Sequence, residues 1–327
     1  MMRGRLLARR LGTAIVTLVL VTVVVFLLAH TSPGDALSWE AGDESARRLS
    51  REREAELRAL YHLDEPLHRQ YFLWLSDVAR GDLGRSFHDR RPVADKIAER
   101  IGITLTLNFA SLVLMVIVAV PLGVMAALRP GSRLDRWTAS ATYALYAVPV
   151  FWAALILQIV FAVRLDWFPL AGLSSGGAEA HGWWVRVSDR AAHLMLPVLC
   201  LSYTGVAYLS RFVRANLLEN ALFESARAAR ARGVAPVSIL IRHGFRQASV
   251  PMLTLAAFVL PGLVGGSVIV EQVFAIPGLG RLFVDAMFQR DVPTIMGLTL
   301  LSAVATLAGI VAADLAYGVL DPRTRRG

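Results

Sequence analysis

The sequence predicts an all-α polytopic membrane protein: six transmembrane helices, a large external insert after the first, and a basic two-helix loop between the fourth and fifth. Three observations predict it. Apolar runs long enough to cross a bilayer recur along the 327 residues. The mean hydropathy is +0.53 and 55% of residues are hydrophobic, which suits lipid rather than a water-facing core. Finally, the net charge of +9 is almost wholly arginine and is gathered between alternate runs.

The elements follow in order. Met1 to Arg10 carries four arginines and no acid, and an apolar segment runs on to about His30. No small-x-small pattern closes that run, so it reads as a retained signal-anchor. Thr31 to Arg100 mixes twelve basic and fourteen acidic residues with Trp39, Trp74, Tyr61 and Tyr71, as a folded hydrophilic insert would. Within it, Arg47 to His62 has helix composition, and Gly81, Gly84 and Pro92 mark turns. Ile101 to Leu128 is uncharged over 28 residues, and Trp137 to Val163 is uncharged with Pro149 inside it. A proline there calls for neighbours that satisfy the freed backbone groups and marks a bend.

Arg164 to Arg190, rich in glycine and tryptophan, reads as an interfacial outer loop. Ala191 to Ser210 is the fourth span, with Arg211 and Arg214 extending its helix into the cytoplasm. Ala248 to Val270 is the fifth, and Gly262, Gly265 and Gly266 suit close helix approach. Glu271 and a turn at Pro277–Gly280 lie where it emerges, and Val292 to Ala313 is the sixth. This gives residues 1–30 as cytoplasmic N-terminus and first helix, 31–100 as the external insert, and 101–327 as the core domain.

Orientation comes from arginine. The four segments assigned to the cytoplasm hold seventeen of the thirty-four basic residues, against about four acids, whereas the two short outer loops hold five. Both termini are expected inside.

Several chemistries are excluded by composition. Lys96 is the only lysine and follows no glycine, so no P-loop exists; HExxH and GxSxG are also absent. Seven scattered histidines show no metal-ligand spacing, and the one cysteine, Cys200, sits in an apolar run as a packing residue. No metal site and no cofactor bound by this chain is expected. Only Glu271 and Asp314 approach the spans, both at ends, where a proton-driven carrier would place carboxylates near the midplane.

The stretch 219–246 organises the rest. Alanines alternate with Arg227, Arg230 and Arg232 as strong helix formers, Gly233 suits a helix end with positive φ, and Pro236 suits the first turn of a second helix. Ala229, Gly233 and Ile239 also fit a DNA-binding helix-turn-helix, but the flanking spans set nucleic acid aside.

RAARARG, eighteen residues ahead of Pro251, resembles the EAA loop of ABC-importer permeases in the form used by the dipeptide, oligopeptide and nickel branch, where arginine replaces the first glutamate as Arg227 does here. The general motif's later isoleucine and proline are His243 and Arg246, so the match is to that branch. HLDEPLHRQYFLWL, GDLGRSF, RPV and EQVFAIPGLGRLFVDA are similar to the same branch, from Ser32–Asp35 to Asp321–Arg323.

The resemblance implies a non-catalytic permease subunit in the bacterial inner membrane. It pairs with a second homologous permease and an external substrate-binding protein. Two ATPase subunits carry ATP and Mg. The EAA-type cytoplasmic coupling loop then comprises Glu224, Arg227, Ala228, Ala229, Arg230, Arg232 and Gly233, and an external gate comprises Glu271, Pro277, Gly278 and Gly280. Peptides are the implied cargo, with nickel or another small solute as the alternative for the same machinery. A secondary carrier without ATPase and a non-transporting receptor are the readings from other classes.

Overall fold

A computed structural model describes residues 2–31, 65–177, 182–220, 231–235, 238 and 268–320. Among them the elements are helical: α1 (Met2–Thr31), α2 (Leu67–Ala79), α3 (Val93–Leu128), α4 (Arg133–Ala147), α5 (Val150–Leu157), α6 (Trp183–Asn220), α7 (Val268–Val273), α8 (Leu279–Phe288) and α9 (Val292–Leu320). α5 continues as a π-helical turn over Gln158–Arg164. The one extended pairing among the described residues is an isolated bridge between Arg85 and Pro92.

α3, α6 and α9 are long and apolar enough to cross a bilayer, and α1 carries an apolar segment over Gly12–Leu27. The run Trp137–Val163, with its bend expected at Pro149, is divided at that point into α4 and α5, which lie at 100° to each other. Pro149 is the cause: it bars the helical conformation for the residue before it, and Val148 is extended at ψ 121°. Tyr203 of α6 donates its hydroxyl to the Val148 carbonyl at 2.5 Å, and the Cys200 thiol lies 3.5 Å from the Val150 carbonyl. The outer loop is also shorter than its composition suggests, since α6 already begins at Trp183. The fifth span up to residue 267, including Gly262–Gly266, and the Arg47–His62 stretch lie outside the described residues.

The chain divides into two compact units, residues 1–101 with 282–307 and residues 102–281 with 308–327, whose boundaries fall inside α3, α8 and α9.

In the first unit, α2 lays its aromatic face on α1. The Phe26 ring meets Tyr71 edge-on at 5.4 Å and Trp74 at 5.8 Å, and Thr22 and Tyr71 share a hydrogen bond of 2.9 Å. Beyond α2, Gly81 and Gly84 turn the chain with positive φ towards α3. There the single lysine is buried. Lys96 Nζ lies 3.0 Å from Asp89 and 3.4 Å from Asp291, and donates to Ser86 Oγ at 2.9 Å. Asp291, fully buried before α9, also accepts from Ser86 Oγ (2.5 Å), the Phe87 N–H (3.0 Å) and Thr294 Oγ1 (2.6 Å). A carboxylate so supplied with donors tolerates burial that would otherwise exceed its Coulombic gain.

Burial pushes Asp89 up, but its hydrogen bonds with Lys96, Ser86 and the Arg91 N–H prevail, and its carboxyl stays below the ordinary range. Its stabilisation is complete above the unfolded pKa and is lost as pH falls through the lowered folded value.

Two outcomes are expected. Lys96→Met strands Asp291 and destabilises the protein by about 3–5 kcal/mol, while Lys96→Met with Asp291→Leu recovers much of that loss. Thermal unfolding of both in detergent checks this. Asp89→Asn flattens the acid side of the stability profile, removing the loss that sets in as pH falls below the unfolded carboxyl pKa.

Candidate functional site

The second unit is built on two apolar clusters. One joins Leu107, Leu196, Val270, Phe274 and Ile276; the other joins Ala119, Leu209, Val213 and Leu217 between α3 and α6. The first cluster supports the turn between α7 and α8, where the proposed gate residues lie.

Glu271 is fully buried. Its Oε1 accepts from Thr104 Oγ1 of α3 at 3.1 Å, and its Oε2 accepts from the Arg281 N–H at 3.0 Å. The Thr104 hydroxyl oxygen in turn accepts from the Leu279 N–H at 2.8 Å. Two of the N–H groups that begin α8 are thus satisfied by side chains from outside that helix, and the carboxylate stands at its positive end. Gly278 is required by this closeness: a Cβ there would overlap the Glu271 carboxylate and approach Thr104 Oγ1 to 2.6 Å.

The turn is fastened from further sides. Ile276 N–H donates to the Glu271 carbonyl at 2.8 Å, and the Arg281 guanidinium donates to the Ala275 carbonyl at 2.9 Å. Ala275 holds φ +53°, a left-handed conformation that costs a residue with a Cβ of order 1–3 kcal/mol and persists where surroundings over-determine it. Gln158 of the π-helical turn donates to the carbonyls of Leu170 (2.9 Å) and Val273 (3.1 Å), and the Gly172 N–H donates to the Phe274 carbonyl at 2.9 Å. The loop after the π-helical turn therefore lies alongside the α7–α8 turn. Asp189 of α6 secures that loop through Ser175, accepting from its N–H (2.9 Å) and Oγ (2.7 Å).

The structure thus brings Glu271, Gly278 and Gly280 together as buried parts of one turn, with Pro277 exposed beside them. Arg281, within EQVFAIPGLGRLFVDA, belongs to the same assembly, as do Thr104 and Gln158, which carry no local sequence signal because they meet the turn across 167 and 115 positions.

Of the loop residues, Glu224, Arg227, Ala228, Ala229 and Arg230 lie outside the described residues. Arg232 and Gly233 are described. Ala231 is helical, Gly233 has φ +77°, and nothing lies within 4 Å of a Cβ placed there. The second helix is described only at Ser238. Among the described residues no group of three or more histidine, cysteine or carboxylate side chains is placed to hold a metal.

Bilayer-length helices, a proline-bent helix pair and a turn closed by buried polar side chains suit an integral membrane component. The chain belongs to the binding-protein-dependent transport system inner membrane component family, whose model matches residues 119–326, and the family's N-terminal membrane component matches residues 1–108. The chain is similar to the oligopeptide transport system permease protein AppB of Bacillus subtilis, at 37% identity over 96% of this chain and 97% of AppB. It is also similar to a probable peptide ABC transporter permease protein, y4tP, of Sinorhizobium fredii, at 35% over 98% and 99% of the two chains. The dipeptide transport system permease protein DppB of Escherichia coli is 32% identical over 97% of each chain.

The α7–α8 turn makes a stability prediction. Thr104→Val removes both the donor to Glu271 and the acceptor for Leu279, at a cost of about 1.5–3 kcal/mol, as for hydrogen bonds to charged groups. Gly278→Ala also destabilises, whereas Pro277→Ala, on the exposed side, costs only the about 0.4–1 kcal/mol that a compatible proline saves in unfolded-chain entropy. Thermal unfolding of the three variants in detergent separates the outcomes.

Proposed function

We propose that this chain is one of two permease subunits of an ATP-driven importer that carries peptides across the bacterial inner membrane. The observation that carries this reading is similarity along nearly the whole chain to permeases named for oligopeptides, peptides and dipeptides. The subunit crosses the membrane six times with both termini cytoplasmic. It forms half of the path together with a second homologous permease. An external binding protein delivers the peptide, and two separate ATPase subunits bind ATP and Mg.

Coupling runs through residues 219–246. The helix bearing Arg227, Ala228, Ala229, Arg230 and Arg232 docks in a cleft of the ATPase, small side chains giving close approach and arginines pairing with carboxylates there. Gly233 sets the angle to the helix that follows, and its left-handed φ supports that role. Closure of the ATPases by ATP draws the two loops together and reorients the spans. The α7–α8 turn, with Glu271 as its internal fastening, serves as part of the external mouth, moving as a closed piece.

Reconstitution tests the whole reading: vesicles containing this chain, its permease partner, the ATPases and the binding protein take up peptide only with ATP, and uptake without ATPases supports a secondary carrier instead. Gly233→Val holds a β-branched residue in a disfavoured conformation, at about 1–3 kcal/mol. It is expected to leave membrane abundance normal while weakening ATPase co-purification and abolishing uptake. Arg230→Ala is milder because the bend survives. Normal transport by Gly233→Val refutes the coupling assignment. Reporter fusions at Arg129, Arg230 and Arg325 should read cytoplasm, and those at Ser50 and Gly176 the outside. A single cysteine at Pro277, the exposed position of the 275–280 turn, should change in accessibility to an impermeant thiol reagent when ATP is trapped; constant labelling removes the gate role.

A further inference from the structure

The unit that includes residues 102–281 also carries a polar pocket beside an apolar groove. α4 begins at Ser132, whose hydroxyl accepts from the Asp135 N–H at 3.2 Å, and Asp135 returns a bond by accepting from the Gly131 N–H at 2.8 Å. This reciprocal cap fixes Asp135 facing α6. There Arg214 grips it in a fork, Nε to Oδ1 at 2.5 Å and a second nitrogen to Oδ2 at 2.7 Å. The pair forms the wall of a pocket of about 290 Å³ between α3, α4 and α6, which Arg136 and Arg211 also line. Three guanidiniums and one carboxylate leave the pocket with an excess of two positive charges. Arg214 is matched by Asp135.

Arg211 is held differently. Its guanidinium lies 4.2 Å over the Tyr143 ring, a face that attracts the cation and leaves its in-plane N–H groups for another acceptor. Arg136 and Arg211 are exposed. Among the described residues, Asp135 is the one carboxylate lining the pocket.

An apolar groove of about 370 Å³ opens from this pocket, sharing Thr142, Tyr143 and Arg211 with it and continuing along Tyr146, Tyr208, Phe212 and Ala215. Trp137, Tyr143, Tyr146 and Tyr208 are each more than half exposed. Aromatic rings beside a cluster of arginines, at the end of long uncharged helices, are the signature of the bilayer interface.

We propose that this is a binding site for an anionic phospholipid, with the phosphate between Arg136 and Arg211 and an acyl chain in the groove against Tyr146, Tyr208 and Phe212. The pocket and groove together match an amphiphile. A free phosphate would fill only the first, and an apolar helix of another subunit would cover the second while leaving two guanidiniums without an anion. Arg214 and Asp135 are the fixed wall against which the headgroup sits. The proposal needs only that the chain lies in a membrane, so it stands or falls independently of peptide transport.

The test uses the full chain purified together with its importer partners in mild detergent, with phosphatidylglycerol added at low molar ratio and retained lipid measured by native mass spectrometry. The unmodified complex should hold one phosphatidylglycerol per chain of this type through detergent washing, and should not hold phosphatidylcholine. Arg136→Gln with Arg211→Gln should lower retention about 30-fold, as the loss of two surface arginine contacts to an anionic lipid implies. Ala215→Trp fills the groove with every charge intact and should also lower retention. Arg164→Gln, an exposed arginine outside both cavities, should leave it unchanged, and equal melting temperatures verify that all variants fold. Equal retention by the double variant overturns the proposal. So does displacement by glycerol 1-phosphate at the same concentration, which would assign a headgroup-only anion site. Retention by the chain alone but not by the assembled complex also overturns it, because the face is then a subunit interface.

Discussion

Inside a bilayer there is no water to satisfy a backbone carbonyl or N–H released by a broken helix, so every interruption must be closed by the protein itself. The described part of this molecule is arranged around that constraint. Pro149 separates α4 from α5, and the Val148 carbonyl is met by Tyr203 from α6. The π-helical turn that follows places Gln158 where its amide reaches two carbonyls on separate loops. The start of α8 is closed by Glu271 and Thr104. Tyr203, Thr104 and, for the Val273 carbonyl, Gln158 reach these groups from distant parts of the sequence, whereas Glu271 meets Arg281 ten positions on. Irregular backbone is thereby allowed at positions where a transport protein needs shape other than a straight rod.

This dependence on distant partners has a kinetic side. Ser86 and Lys96 lie early in the chain and Asp291 late, with Lys96 and Asp291 separated by 195 positions. Thr104 waits for residues 271–279 in the same way. Loop-closure entropy must be offset before such contacts stabilise anything. Helices α3 and α6 can form on their own hydrogen bonds, and Lys96 can meet Asp89 and Ser86 locally, but Asp291 and the Glu271 partner of Thr104 join only once the last third of the chain has arrived.

The legible and illegible parts of the structure divide along the same line. Ile101–Leu128 is readable as a crossing because charge is absent and the helix satisfies itself locally; the structure extends it back to Val93. Pro149 announced a bend, but its 100° size depends on Tyr203 and Cys200, which composition does not reveal. Trp183 and Trp184 beside glycines suggested an interfacial loop, yet they open α6 as an edge-to-face pair with centroids 4.5 Å apart, so their interface character and their helix are compatible. The motif in EQVFAIPGLGRLF located the α7–α8 turn, while its anchoring by Thr104 had no counterpart in any local pattern. Lys96 stood out only by being the sole lysine, and nothing near it in sequence pointed to Asp291.

That sole lysine has a practical consequence. Its ammonium is enclosed by Asp89, Ser86 and Asp291, with 5% of the residue exposed. Reagents that acylate side-chain amines therefore meet one target, and it is closed to them while the cluster is intact. The rate at which Lys96 becomes acylated is a clock for opening of its own neighbourhood, read at a single peptide by mass spectrometry and requiring no engineered label.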